Sequence, residues 1–177
     1  SGDENALLRL GCSRVIGQDH QLNGRHSTAV EALNPIYKNY LDTKGPEKQV
    51  AIKTMLPLAQ SYAELGKIES ALDVLNKGIP FLEAGSVTIR EAWLLSGDLK
   101  AAIGEILPAK RAWSRLTDDL NKYGDDARAR RNSAVRLAML GKKAPALGNT
   151  TWFGGKKKSL KSLEGNVVLL DFWATWC

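Results

Sequence analysis

The strongest constraint on this chain is a spacing that occurs twice. Tyr62, Gly66, Ile68, Ala71 and Leu75 reappear 31 residues later as Trp93, Gly97, Leu99, Ala102 and Ile106. Aromatic-x3-Gly-x-apolar-x2-Ala-x3-apolar is the pattern of a helix hairpin. The aromatic packs on the first helix, glycine ends that helix in a left-handed turn, and alanine lets the second helix approach closely. A chain built on such units buries its apolar faces by stacking them.

The neighbouring residues follow the same helical period. Ser27-Thr28-Ala29-Val30-Glu31 is an N-cap start, and Leu33, Ile36, Tyr37, Tyr40 and Leu41 follow at i+3/i+4 spacing. Pro35 predicts a kink or restart, because it lacks a donor and clashes with the preceding turn. Asp42-Thr43-Lys44-Gly45-Pro46 is a turn, with Pro46 opening a helix whose apolar face is Val50, Ala51, Met55 and Leu58. A later helix carries Trp113, Leu116, Leu120 and Tyr123 and ends at Gly124. The next starts at Asp125-Asp126, acids suited to a helix N-terminus, and runs to Gly141. Residues 1–140 are therefore expected to form a mainly α domain, a helical hairpin stack. Their titratable groups are scattered at surface spacing and form no catalytic constellation.

Those hairpins resemble tetratricopeptide-type repeats, with Ser61-Tyr62-Ala63-Glu64-Leu65-Gly66-Lys67-Ile68-Glu69-Ser70-Ala71-Leu72 as the better match. The resemblance implies a groove for a peptide or protein partner. It has departures: the family period is about 34 residues, Arg90 stands where Ala59 supplies a small residue, and Pro57 and Pro108 are expected to interrupt their helices.

Composition narrows the function classes. The 177 residues are 44% hydrophobic and 25% charged, the balance of a globular protein. No apolar run approaches the roughly 20 residues that cross a bilayer. Cys12 and Cys177 are the only cysteines and His20 and His26 the only histidines, so neither a disulfide framework nor a Cys/His metal site is expected. Cys12 reads as a helix-packing residue; Arg9 and the missing apolar run argue against a lipoprotein cleavage site, and no secretory leader is visible. Residues 1–105 carry a net −2 and residues 106–177 a net +8. A basic surface attracts nucleic acid, yet Arg128, Arg130 and Arg131 lie in a helical stretch without interleaved aromatics, and Lys156-Lys157-Lys158 follows Gly154-Gly155 as a hairpin tip. A solvated face is the preferred reading, and nucleic acid is not an expected partner.

From Gly141 the pattern becomes extended. Pro145 disfavours helix at the residue before it. Thr150-Thr151-Trp152-Phe153, Gly-Gly and Ser159-Leu160 read as strand, turn and return, and Ser162-Leu163-Glu164-Gly165-Asn166 as a second turn. Val167-Val168-Leu169-Leu170-Asp171-Phe172-Trp173 is a near-continuous apolar run, expected to be a strand covered on both faces. It would place Cys177 at the carboxyl edge of a sheet, where sites form in open α/β folds.

Gly141-x3-Ala144-Pro145, Leu160-x2-Leu163-x-Gly165 and the run from Val167 to Ala174-Thr175-Trp176-Cys177 resemble the opening of a thioredoxin-like domain of the TlpA/redoxin type. Residues 141–177 are accordingly expected to be the N-terminal part of that α/β fold. The resemblance implies that Cys177 is the attacking thiol and Asp171 the buried acid that moves a proton to or from a second thiol. Trp173 and Trp176 match the aromatics beside the motif. It also implies protein thiols or disulfides as substrates, no bound metal or organic cofactor, and an extracytoplasmic setting such as the periplasm, with the cytoplasm left open.

The match stops at the first cysteine, so the chain is expected to be a fragment of an oxidoreductase and inactive in turnover. The α-carboxylate on Cys177 is expected to raise its thiol pKa, and the unpaired apolar edge at 167–173 to favour self-association. The rival reading is a helical protein-binding scaffold with no redox activity.

Overall fold

Seven α-helices follow one another among the described residues: α1 (Gly2–Leu22), α2 (His26–Tyr40), α3 (Pro46–Glu64), α4 (Ile68–Gly78), α5 (Val87–Ala102), α6 (Ile106–Tyr123) and α7 (Ala127–Met139). The computed structural model describes residues 2–124, 126–146, 155, 158–169, 171, 173–174 and 176. The chain divides into two compact units, Ser1–Leu140 and Gly141–Cys177, and all seven helices lie in the first. No β-strand occurs among the described residues, and the fold is a mainly α helical stack.

Three turns of one design organise the stack. Gly24, Gly66 and Gly104 follow α1, α3 and α5 with φ of 71°, 70° and 80°. In each, the glycine N–H donates to the carbonyl three residues back, at Gln21, Ala63 and Ala101. The next N–H reaches five residues back, from Arg25 to His20, Lys67 to Tyr62 and Glu105 to Lys100, at 2.8–2.9 Å. This doubly bonded cap needs a left-handed residue, which glycine supplies without a Cβ clash. The result is three hairpins, α1–α2, α3–α4 and α5–α6, each a packed pair.

The hairpins share a finer register that the 31-residue spacing misses. Seven residues before each turn glycine stands a small residue: Gly17, Ala59 and Gly97. Five after it stands alanine, Ala29, Ala71 and Ala109, and nine after it a large apolar group, Leu33, Leu75 and Trp113, all six buried. A Cβ at Gly17 would run into Leu33, and one at Gly97 into the Trp113 indole. The small residue is thus the seat on which the second helix rests its bulky side chain. Gly97, expected as a turn, lies inside α5 for this reason; the turn falls at Gly104, and the hairpins repeat after 42 and then 38 residues. In this register Gly97, not Arg90, corresponds to Ala59.

The prolines break nothing. α2 runs through Pro35, and both Pro35 and Glu31, whose carbonyl loses its helical donor there, are exposed residues. α3 runs through Pro57, held by the fully buried Met55 and Leu58 on either side. Burying side chains of that size contributes about 1.5–3 kcal/mol each, enough to offset the roughly 3 kcal/mol of an internal proline. Pro108 sits in the first turn of α6, where backbone donors have no intrahelical acceptor. α2 also begins at His26 rather than at Ser27, because the Gly24 turn sets its start and no side chain caps it.

Ala29, Leu33 and Tyr37 of α2 join Ala51, Met55 and Leu58 of α3 and Ala71 and Leu75 of α4 in one core that extends to Ala92 and Leu99 of α5. Tyr37 Oη donates to the buried carbonyl of Val74 at 2.6 Å and ties α2 to α4. Asp119 of α6 accepts from Arg90 Nε and from Gly85 N, both at 2.7 Å, and fixes the entry to α5. Asp126 caps α7, accepting from the backbone of Arg128 and Ala129 at 2.9 Å. α7 packs on α6 through Ser133, which is buried against Thr117 and the Trp113 carbonyl.

Candidate functional site

The thiol segment begins with local structure that its own side chains provide. Ser159 and Ser162 cap each other reciprocally, each hydroxyl accepting from the other's N–H at 3.1 Å, and Leu160–Leu163 forms one 3₁₀ turn. Ser159-Leu160 was expected as a returning strand; serine's ability to bond its neighbours' backbone favours the turn. Gly165, with φ 84°, and the bond from Asn166 N to the Leu163 carbonyl at 3.1 Å make the turn anticipated at 162–166. The strand expected at Thr150–Phe153 and its tip lie outside the described residues, apart from Gly155 and Lys158.

Beyond Asn166 the described residues do not form the strand expected at 167–173. Val167 and Leu169 are 103% and 91% exposed. A strand covered on two faces needs ladder partners and packing layers, and no described residue of this unit supplies them. Asp171, expected to be buried, is exposed. Trp173 and Trp176 are exposed as well, at 76% and 87%, so they do not serve as packing groups among the described residues. Cys177 lies outside the described residues. Asp171, Trp173 and Trp176 are therefore close in sequence and each exposed.

The helical unit offers surfaces that the sequence pattern did not single out. Cys12 is free and exposed rather than buried in helix packing. It lies with Leu8, Val15 and Ile16 along the open face of α1, beside a groove of about 930 Å³ whose other wall is Pro46, Val50 and Lys53 at the start of α3. The i, i+4, i+7, i+8 spacing of those four residues was legible as an apolar stripe; that it stays uncovered was not. A second cleft, about 280 Å³, lies between the end of α4 and helices α5 and α6, with Trp93, Lys100, Arg111 and Arg115 on its walls. A third, about 430 Å³, opens between α2 and α4 near Tyr62, with Asp42, Glu69 and Asp73 facing Lys38 and Lys77. Among the described residues no group of His, Cys, Asp and Glu is placed to hold a metal ion, and no helix is long and apolar enough to cross a membrane.

No family model matches the chain. It is similar to the curated protein named Protein DipZ of Mycobacterium bovis, and to its namesake in Mycobacterium tuberculosis, at 34% identity over 113 residues. The matched stretch covers 54% of this chain and 16% of each relative, so the chain spans about a sixth of the length of the relatives it matches. A match of that size is too large for the 37 residues from Gly141 to Cys177, and it takes in part of the helical unit.

Proposed function

We propose that the chain is part of a thiol–disulfide oxidoreductase, with a helical unit that engages a partner and a thioredoxin-like segment that carries the reacting thiol. The observation that carries this reading is the run Val167–Cys177 with its upstream pieces in order, and the similarity to DipZ agrees with it. In the reaction, the Cys177 thiolate attacks one sulfur of a protein disulfide, a new S–S bond forms, and the other sulfur leaves as a thiolate. Asp171 is the proton-transfer acid of the family pattern, and Trp173 and Trp176 are the aromatics that precede the thiol in it. The exchange runs on sulfur alone, so the reading assigns no metal or organic cofactor. It places the protein in an oxidising, extracytoplasmic compartment, where disulfide chemistry persists.

The helical unit fits the same reading as a tetratricopeptide-like module. In its structural register, Ala59-x2-Tyr62 with Ala71-x3-Leu75, and Trp93-x3-Gly97 with Ala109-x3-Trp113, follow the repeat's W-x2-L-G-x2-Y and A-x3-F spacing. Lys100 in place of the tyrosine, and hairpin spacings of 42 and 38 residues, depart from it.

The first step of that exchange, capture of a disulfide by Cys177, leaves a mixed disulfide that can be isolated and mapped. The test is incubation of the chain with insulin, acid quenching and peptide mapping. A mixed disulfide on Cys177 is expected, retained in Cys12→Ser and lost in Cys177→Ser. An adduct that persists in Cys177→Ser would favour the second reading, a helical binding scaffold without redox activity. The exposure of Asp171, Trp173 and Trp176 is what speaks for that alternative.

A further inference from the structure

We infer that the cleft between the end of α4 and helices α5 and α6 binds an acidic side chain of a partner peptide, gripped by Lys100, Arg111 and Arg115 beside Trp93. This deepens the reading of the helical unit as an interaction module and rests on it.

Three cations share this small cleft. Elsewhere in the unit, cations that meet carboxylates do so in plain ion pairs: Arg25 with Asp19, Lys77 with Asp73, Arg90 with Asp119 and Arg136 with Asp98. Among the described residues no carboxylate is in ion-pair contact with Lys100, Arg111 or Arg115. Burial holds Lys100 below its ordinary value; Glu105 pulls it the other way, and Arg111 and Arg115 push it down further. Like charges crowded against a low-dielectric wall repel one another, and an incoming anion relieves that repulsion.

The shape says which anion. The Arg115 guanidinium lies over the Trp93 ring, 4.7 Å from its centroid, which leaves its planar edge available for a carboxylate. Ile79, Pro80 and Pro108 form the remaining wall. A bare phosphate would satisfy the cations and leave that apolar wall wet, whereas a glutamate or aspartate on a peptide covers both. A volume of about 280 Å³ suits one or two side chains and is too small for a large ligand.

The full 177-residue chain, labelled for NMR, is titrated with a blocked hexaglutamate peptide, the Trp93 indole signal being assigned through Trp93→Phe. Saturable shifts at Trp93 are expected, with affinity lost about tenfold or more in Arg111→Glu/Arg115→Glu. Arg128→Glu/Arg131→Glu on α7 changes the net charge equally and is expected to bind like the parent. Circular dichroism checks folding, and Arg111→Gln/Arg115→Gln serves as a milder second variant. Equal losses in the α7 and cleft variants would reduce the effect to bulk attraction and overturn the assignment. So would absence of shifts at Trp93, or inorganic phosphate saturating the site as tightly as the peptide at matched ionic strength. A protein partner bound equally by the parent and the cleft variants would overturn the cleft while leaving the interaction module standing.

Discussion

Tyr37 shows what one buried hydroxyl contributes. Its bond to the Val74 carbonyl is the polar link between α2 and α4, and Tyr37→Phe leaves that carbonyl without the partner, at about 1–2 kcal/mol in urea unfolding. Burial, with Asp73 and Asp42 nearby, pushes the phenol well above its ordinary 10.0. The folded state thus holds a proton that the unfolded chain releases. The stabilisation is complete below pH 10 and is lost as pH rises from there toward the folded value. The parent should lose urea resistance between pH 9 and pH 11 more steeply than Tyr37→Phe, and parallel slopes would contradict this. Asp119→Ala, which strands Arg90 and the Gly85 amide together, should cost about 2 kcal/mol. The sequence marked Tyr37 as an apolar-face residue; its hydroxyl partner, 37 positions away, carries no local signal.

At the scale of elements, the hairpin register makes a sharper prediction. Gly97→Ala should destabilise by about 1–3 kcal/mol through overlap with Trp113, although alanine is the better helix former by about 1 kcal/mol. Adding Trp113→Leu reproduces the Ala59/Leu75 pairing of the second hairpin and should recover part of the loss. Additive effects in that double variant would contradict the register. Local chemistry made several elements legible: the end of α6 at Gly124, the cap at Asp126 and the opening of α3 at Pro46 each follow from a residue acting on its own neighbours. Gly97 and Gly104 were not distinguishable that way. Both are glycines at plausible spacing, and only the packing of α6 decides that one seats an indole and the other turns the chain. The prolines misled for the same reason, since tertiary burial outweighs a local penalty.

For the whole molecule, the two units differ in how they are held. The helical unit has a continuous core, whereas the described part of the second has local turns and exposed apolar side chains. Limited trypsin digestion should cut first at the exposed Lys142-Lys143 and leave a resistant helical product; early cleavage within α3 or α4 would contradict that. The candidate site was legible as a motif and not as geometry, because a strand's burial depends on neighbours that its own residues do not encode. The most direct test of the redox reading uses the chain's two thiols against each other, Cys12 being an exposed free thiol and an internal reference. The chain is equilibrated with graded ratios of reduced and oxidised glutathione, and the adduct on each cysteine is quantified by mass spectrometry. A Cys177 adduct that accumulates at a lower proportion of oxidised glutathione than the Cys12 adduct is the expected result. Coincident titrations, or a Cys12 adduct that accumulates at the lower proportion of oxidised glutathione, would contradict a specialised thiol in the motif.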